Sequence, residues 1–69
     1  MEIEWLDGFE ISVRIDGGTA VISANREGLR SLAKQLAALA EAPPGSNIHY
    51  DSYDALEDGS AEMIVERIT

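Results

Sequence analysis

At Asn25 the spacing of apolar residues changes, and the change commits one short chain to two kinds of regular structure. Before it, Phe9, Ile11, Val13 and Ile15 alternate with Glu10, Ser12, Arg14 and Asp16. A period of two sends successive side chains to opposite faces, as a half-buried strand requires. Asp16-Gly17-Gly18-Thr19 then supplies the positive φ angles of a tight hairpin turn, and Ala20, Val21 and Ile22 resume a β-prone run. After Asn25, Leu29, Leu32, Ala33, Leu36, Leu39 and Ala40 recur at three- and four-residue intervals, the apolar stripe of an amphipathic helix. Asn25 itself suits the N-cap. Pro43-Pro44-Gly45 removes amide donors, so the helix ends near Ala42 after about 17 residues, or roughly 25 Å.

Two further strands follow. Ile48 and Tyr50 alternate with His49 and Asp51, and beyond the turn at Asp58-Gly59 the stretch from Ala61 to Ile68 carries Met63, Ile64, Val65 and Ile68. The order is β-β-α-β-β, an α+β class in which one helix packs on one face of a small, mostly antiparallel sheet. One domain spans residues 1–69. Asp7-Gly8, between Ile3-Glu4-Trp5-Leu6 and Phe9, points to a short extra N-terminal strand. A single helix covers one sheet face and leaves the other toward solvent. With Ala61, Met63 and Val65 turned to the helix, Glu62, Ile64, Glu66 and Ile68 point outward, an apolar patch flanked by carboxylates of the kind found at interaction or dimer surfaces. The opposite register would bury Ile64, and scattered surface isoleucines are also ordinary.

At this length a chain buries only about 60% of the surface its unfolded form exposes, so stability is marginal without a staple. No cysteine is present and there is one histidine, which excludes a disulfide and a zinc site and leaves packing or self-association. The lack of cysteine fits a reducing compartment, and Met1-Glu2-Ile3-Glu4 lacks the basic start and apolar run of a signal peptide. A cytoplasmic location is expected. No apolar stretch approaches the roughly 20 residues of a spanning helix. Thirteen acidic against five basic side chains give a net charge of −8. Such a surface repels phosphate backbones and attracts basic protein surfaces, which argues against nucleic acid and for a protein partner.

Strand spacing puts His49 and Asp51 on one face, close enough for the carboxylate to orient the ring. A general base could be built that way, but Ser46, Ser52 and Ser60 sit in no nucleophile motif, so a surface or partner-contact role for His49 is the simpler reading. Acidic residues crowd Asp51 to Asp58, yet the ligand positions, central glycine and terminal glutamate of a calcium loop do not map onto them. A solvated loop or a charged partner-binding rim remains, with no metal or cofactor expected and Leu56 as the loop's core anchor. Arg26, Arg30 and Lys34 form a basic stripe at four-residue intervals, where like charges oppose one another and cations oppose the helix macrodipole. Salt bridges to acidic strand or loop residues would compensate, and so would an acidic patch on a partner. Gly17-Gly18 leads into a strand, so it is a hairpin turn rather than a phosphate loop.

Taken together, Ser23-Ala24-Asn25-Arg26-Glu27-Gly28-Leu29 opening a Leu/Ala helix, then Ile48-His49-Tyr50-Asp51, then Leu56-Glu57-Asp58-Gly59-Ser60-Ala61-Glu62-Met63-Ile64 resemble a bacterial family. It is the small immunity proteins of polymorphic toxin systems, of the type called immunity protein thirty-two, and the similarity runs from Ser23 to Ile68. The resemblance implies a cytosolic protein that protects its cell by binding and blocking a toxin, usually encoded nearby. It makes His49 a characteristic strand histidine and Asn25 to Leu29 the helix-opening motif. Where longer members carry a Trp-Gly-Gly-like segment after the third main strand, this sequence has Tyr53-Asp54-Ala55-Leu56.

Charge, size, an uncovered sheet face and the resemblance converge on a protein-binding module, a non-catalytic inhibitor that occludes a toxin sterically and electrostatically. Asp51, Asp54, Glu57 and Asp58 would neutralise a basic rim, with His49, Ile64 and Glu66 completing the contact surface. The alternative is a self-associating, dimeric structural or regulatory protein that pairs an open sheet face bearing Ile64 and Ile68, or an edge strand. A minimal hydrolase using His49 and Asp51 comes last.

Overall fold

The alternating segment forms strand β1 (Ile11–Asp16), which pairs antiparallel with β2 (Thr19–Ala24) in a register running from Ile11 opposite Ala24 to Asp16 opposite Thr19. Gly17 and Gly18 close the hairpin with φ of 55° and 86°, the pair of positive angles that a two-residue turn matched to strand twist demands. The computed structural model describes all residues 1–69. Helix α1 (Arg26–Glu41) follows at once, and a second antiparallel hairpin, β3 (Asn47–Tyr50) with β4 (Met63–Glu66), completes the β-β-α-β-β order. The architecture is α+β with antiparallel pairing, as the sequence pattern requires.

Asn25 does more than cap. Its Oδ1 accepts from the Gly28 amide at 2.8 Å and from the Glu10 amide at 3.0 Å, and its Nδ2 donates to the Gly8 carbonyl at 2.9 Å. One side chain thus satisfies an orphan donor of the helix and ties the helix start to the chain entering β1. Gly28 lets the two approach: a Cβ there would lie 2.5 Å from the Glu10 carbonyl oxygen and 2.8 Å from Ile11 Cγ1. At the far end Ala42 is the C-cap, and the Arg67 guanidinium donates to the Ala42 carbonyl, a cation placed where the helix dipole favours one.

The helix is turned relative to its apparent apolar stripe. Gly28, Ser31, Leu32, Gln35 and Leu39 face the core, while Leu29 and Leu36, expected inside, are 55% and 43% exposed. The reason lies in residues 3–9, which form no strand, contrary to the sequence expectation. They run as a strap along the helix, with the Leu6 amide donating to Ser31 Oγ at 2.9 Å and Gln35 Nε2 donating to the Glu4 carbonyl at 2.8 Å. Backbone groups that a strand ladder would have satisfied are satisfied by helix side chains instead, which draws those side chains inward. Trp5 stacks on Phe9 at 4.4 Å and meets Tyr50 edge-on at 6.2 Å, sealing the strap over the core.

That core comprises Ile11, Val13, Leu32, Leu39, Ala42, Ile48, Tyr50 and Leu56. Tyr50 and Gln35 are fully buried and satisfy each other, the phenol donating to Gln35 Oε1 at 2.7 Å. Burial raises the Tyr50 pKa above its ordinary 10.0. The sheet is two hairpins rather than one continuous ladder. They are joined where the chain before β4 runs beside β1: the Glu57 amide donates to the Ile11 carbonyl (2.9 Å), the Ala61 amide to the Val13 carbonyl (2.8 Å), and the Val13 amide to Ser60 Oγ (3.2 Å). Those bonds begin β4 later than the sequence pattern implied, at Met63 instead of Ala61.

Candidate protein-binding face

Register in the β3-β4 hairpin decides what meets water. Ile48 lies opposite Val65 and Tyr50 opposite Met63, and these four point toward the helix side. By the period of two, Asn47, His49, Ile64 and Glu66 then share the other face, with His49 directly opposite Ile64 and Asn47 opposite Glu66. Ile64 is 62% exposed, and Ile68 beyond it is exposed as well. The outward register of Ile64, Glu66 and Ile68 is the one the sequence offered as its sharper reading.

His49 finds a different principal partner from the one its strand spacing indicated. Its Nε2 lies 3.0 Å from Glu62 Oε2 and 4.0 Å from Asp51 Oδ2. An ionised carboxylate only accepts, so the near contact puts the ring proton on Nε2. The Asp51 carboxylate is engaged within its own loop, Oδ1 accepting from the Tyr53 amide at 3.1 Å, while the Asp51 carbonyl accepts from Ala55 (3.1 Å) and Leu56 (2.9 Å). Neither surface depression of the molecule is lined by His49. Ser60 Oγ is held by the Val13 amide.

The loop from Asp51 to Ser60 is tied to the core and to β1. Leu56 is buried as its core anchor, Glu57 is bonded to β1 through its amide, and the Ser60 amide closes a turn on the Glu57 carbonyl at 3.2 Å. Asp54, Glu57 and Asp58 are exposed along it and make no ion pair. At its tip Tyr53 is 99% exposed, a whole aromatic ring in water between Asp51 and Asp54. Sequence reasoning left Tyr53 and Glu62 out of the site. Period and spacing carry no signal for a loop aromatic, and Glu62 joins His49 only through the register between strands. An isolated loop tyrosine among carboxylates is nonetheless a composition seen at interface anchors.

Along α1, Arg26, Arg30 and Lys34 are exposed and none makes an ion pair, so the compensating intramolecular salt bridges do not form. No helix is long and apolar enough to cross a membrane.

No curated protein and no solved structure matches the chain. The model of the Immunity protein 32 family does, over residues 19–68, from the first residue of β2 through α1, β3 and the acidic loop to just past β4. The match therefore contains the whole candidate face and leaves the strap and β1 outside it, and since it covers most of the chain, this protein belongs to the Immunity protein 32 family.

Proposed function

We propose that the protein neutralises a toxin in the cytoplasm by laying the outward face of β3-β4 and the acidic loop over a basic functional surface of that toxin. The observation that carries the reading is the juxtaposition of exposed Ile64 with the His49–Glu62 pair, next to a core-anchored loop that presents Tyr53 among exposed carboxylates. Ile64 and Tyr53 would be the desolvated anchors, because interface energy concentrates in a few apolar or aromatic side chains surrounded by a polar rim. Asp51, Asp54, Glu57, Asp58 and Glu66 would form that rim, steering a cationic partner and fixing register. His49, oriented by Glu62, offers an imidazole edge at the centre. Family membership supports a toxin as the partner, and occlusion needs no reacting group of this chain.

The probe is a cognate toxin domain, sought among the products of the neighbouring genes, its binding followed by calorimetry. Ile64→Glu and Tyr53→Ala should each weaken binding by about tenfold or more, roughly 1.4 kcal/mol, with no loss of thermal stability, since both side chains already face water. Raising salt from about 50 mM to about 500 mM should weaken the wild-type complex as screening shortens the reach of the rim charges. Unchanged affinity in both variants, or binding indifferent to salt, contradicts the reading.

A further inference from the structure

The β3-β4 ladder ends with Tyr50 opposite Met63, and the next residue on each side is a carboxylate, Asp51 and Glu62. Like charges brought together across strands repel. One side chain reaches both: His49 Nε2 lies 3.0 Å from Glu62 Oε2 and 4.0 Å from Asp51 Oδ2. Asp51 is held through its other oxygen, which accepts from the Tyr53 amide. The remaining side chains of this face are Ile64, directly across from His49, with Asn47 on β3 and Glu66 on β4. No lysine or arginine pairs with any of these carboxylates.

His49 is the chain's one histidine, and histidine is the side chain whose charge ordinarily changes between about pH 5 and 8. Nε2 gives its hydrogen to Glu62, which leaves the lone pair of the neutral ring on Nδ1, and Nδ1 makes no hydrogen bond. A further proton therefore enters at Nδ1 and leaves from it. Its uptake places a positive charge between Asp51 and Glu62, in the position that a cation from another molecule would need.

We propose that docking on this face is gated by that proton: a basic side chain of the protein partner settles against Asp51 and Glu62 only when His49 is neutral. The proposal rests on the reading of β3-β4 as the docking surface for a cationic partner, and it adds the regulation of that surface. A lysine or arginine brought to the two carboxylates meets the imidazolium at close range, and like charges pressed together out of water are costly. The neutral ring removes the repulsion, and its bare Nδ1 accepts a hydrogen bond that imidazolium cannot accept. Binding thus releases the Nδ1 proton to water. By linkage, affinity rises with pH through the histidine range and is lost as pH falls through it. Carboxylates ordinarily titrate below this interval, which leaves the histidine as the group that switches.

Hexa-arginine at low salt is the probe, because it carries the basic chemistry without a toxin fold. Its binding to the intact protein is followed by the backbone amide and His49 ring resonances. Affinity at about pH 5.5 should be at least about threefold weaker than at about pH 7.5, and His49→Gln should bring that ratio close to one. The readout is a ratio within each protein, so a general loss of affinity in the variant does not affect it. In the wild type, added peptide should move the midpoint of the His49 ring titration to lower pH, and in Glu62→Gln it should move it less. Peptide-induced shifts at residues 47–66 with the same ratio in wild type and His49→Gln, or a ring midpoint indifferent to peptide, overturn the gate and leave the docking face standing. Absence of any shift at residues 47–66 removes the docking face, and the gate with it.

Discussion

Gly28 and Tyr50 show at the scale of single residues how little slack this small core has. Alanine is the better helix former, so propensity alone would favour Gly28→Ala. The close approach to the Glu10 carbonyl decides otherwise, because a Cβ 2.5 Å from a backbone oxygen forces helix and β1 apart. Gly28→Ala should cost about 1–3 kcal/mol in urea unfolding, a typical overpacking penalty. Tyr50 carries the pH dependence. Its pKa is raised by burial, so the folded state favours the neutral phenol. That contribution is fully present below the ordinary 10.0 and is lost as pH rises through the higher folded value, so stability should fall on the alkaline side. Tyr50→Phe should flatten that alkaline decline, and at neutral pH it should cost about 1–3 kcal/mol by leaving the buried Gln35 Oε1 without its donor. Thermal melts of both proteins across pH check the pair of effects.

At the scale of elements, the strap is held by few bonds and should come loose as a unit. Ser31→Ala removes the acceptor of the Leu6 amide and should release residues 3–9 at a cost of about 1–2 kcal/mol, seen as solvent exposure of Trp5 in fluorescence while helical circular dichroism persists. The same strap explains what sequence periodicity could and could not deliver. Period two found both hairpins, and the change at Asn25 found the helix start, because each signal is local to its element. The inward face of the helix was not legible, since Ser31 and Gln35 are polar and turn inward only to satisfy the backbone of residues 3–9 and the Tyr50 phenol. The same division holds for the candidate face. Outward Ile64 and Glu66 follow from alternation along one strand, whereas the choice of Glu62 over Asp51 by His49 depends on pairing between strands, which hydropathy does not encode.

For the whole molecule, charge is distributed by surface rather than balanced locally. Thirteen carboxylates and five cations coexist, yet the ion pairs present all involve His49; the loop from Asp51 to Asp58 carries four carboxylates and no cation, and three of the cations lie along α1, which also carries Glu27 and Glu41. Such separation does little for the stability of a monomer, where exposed pairs contribute only about 0–1 kcal/mol, but it gives each surface a preferred kind of neighbour. The acidic, isoleucine-bearing face suits a cationic protein surface. Hydrogen exchange on a complex with a toxin domain that the protein binds tests the central claim most directly. The account predicts slowed exchange at residues 47–66, centred on His49, Tyr53 and Ile64, with α1 unchanged by the toxin; protection confined to α1 or β2, with that face and loop unaffected, would contradict it.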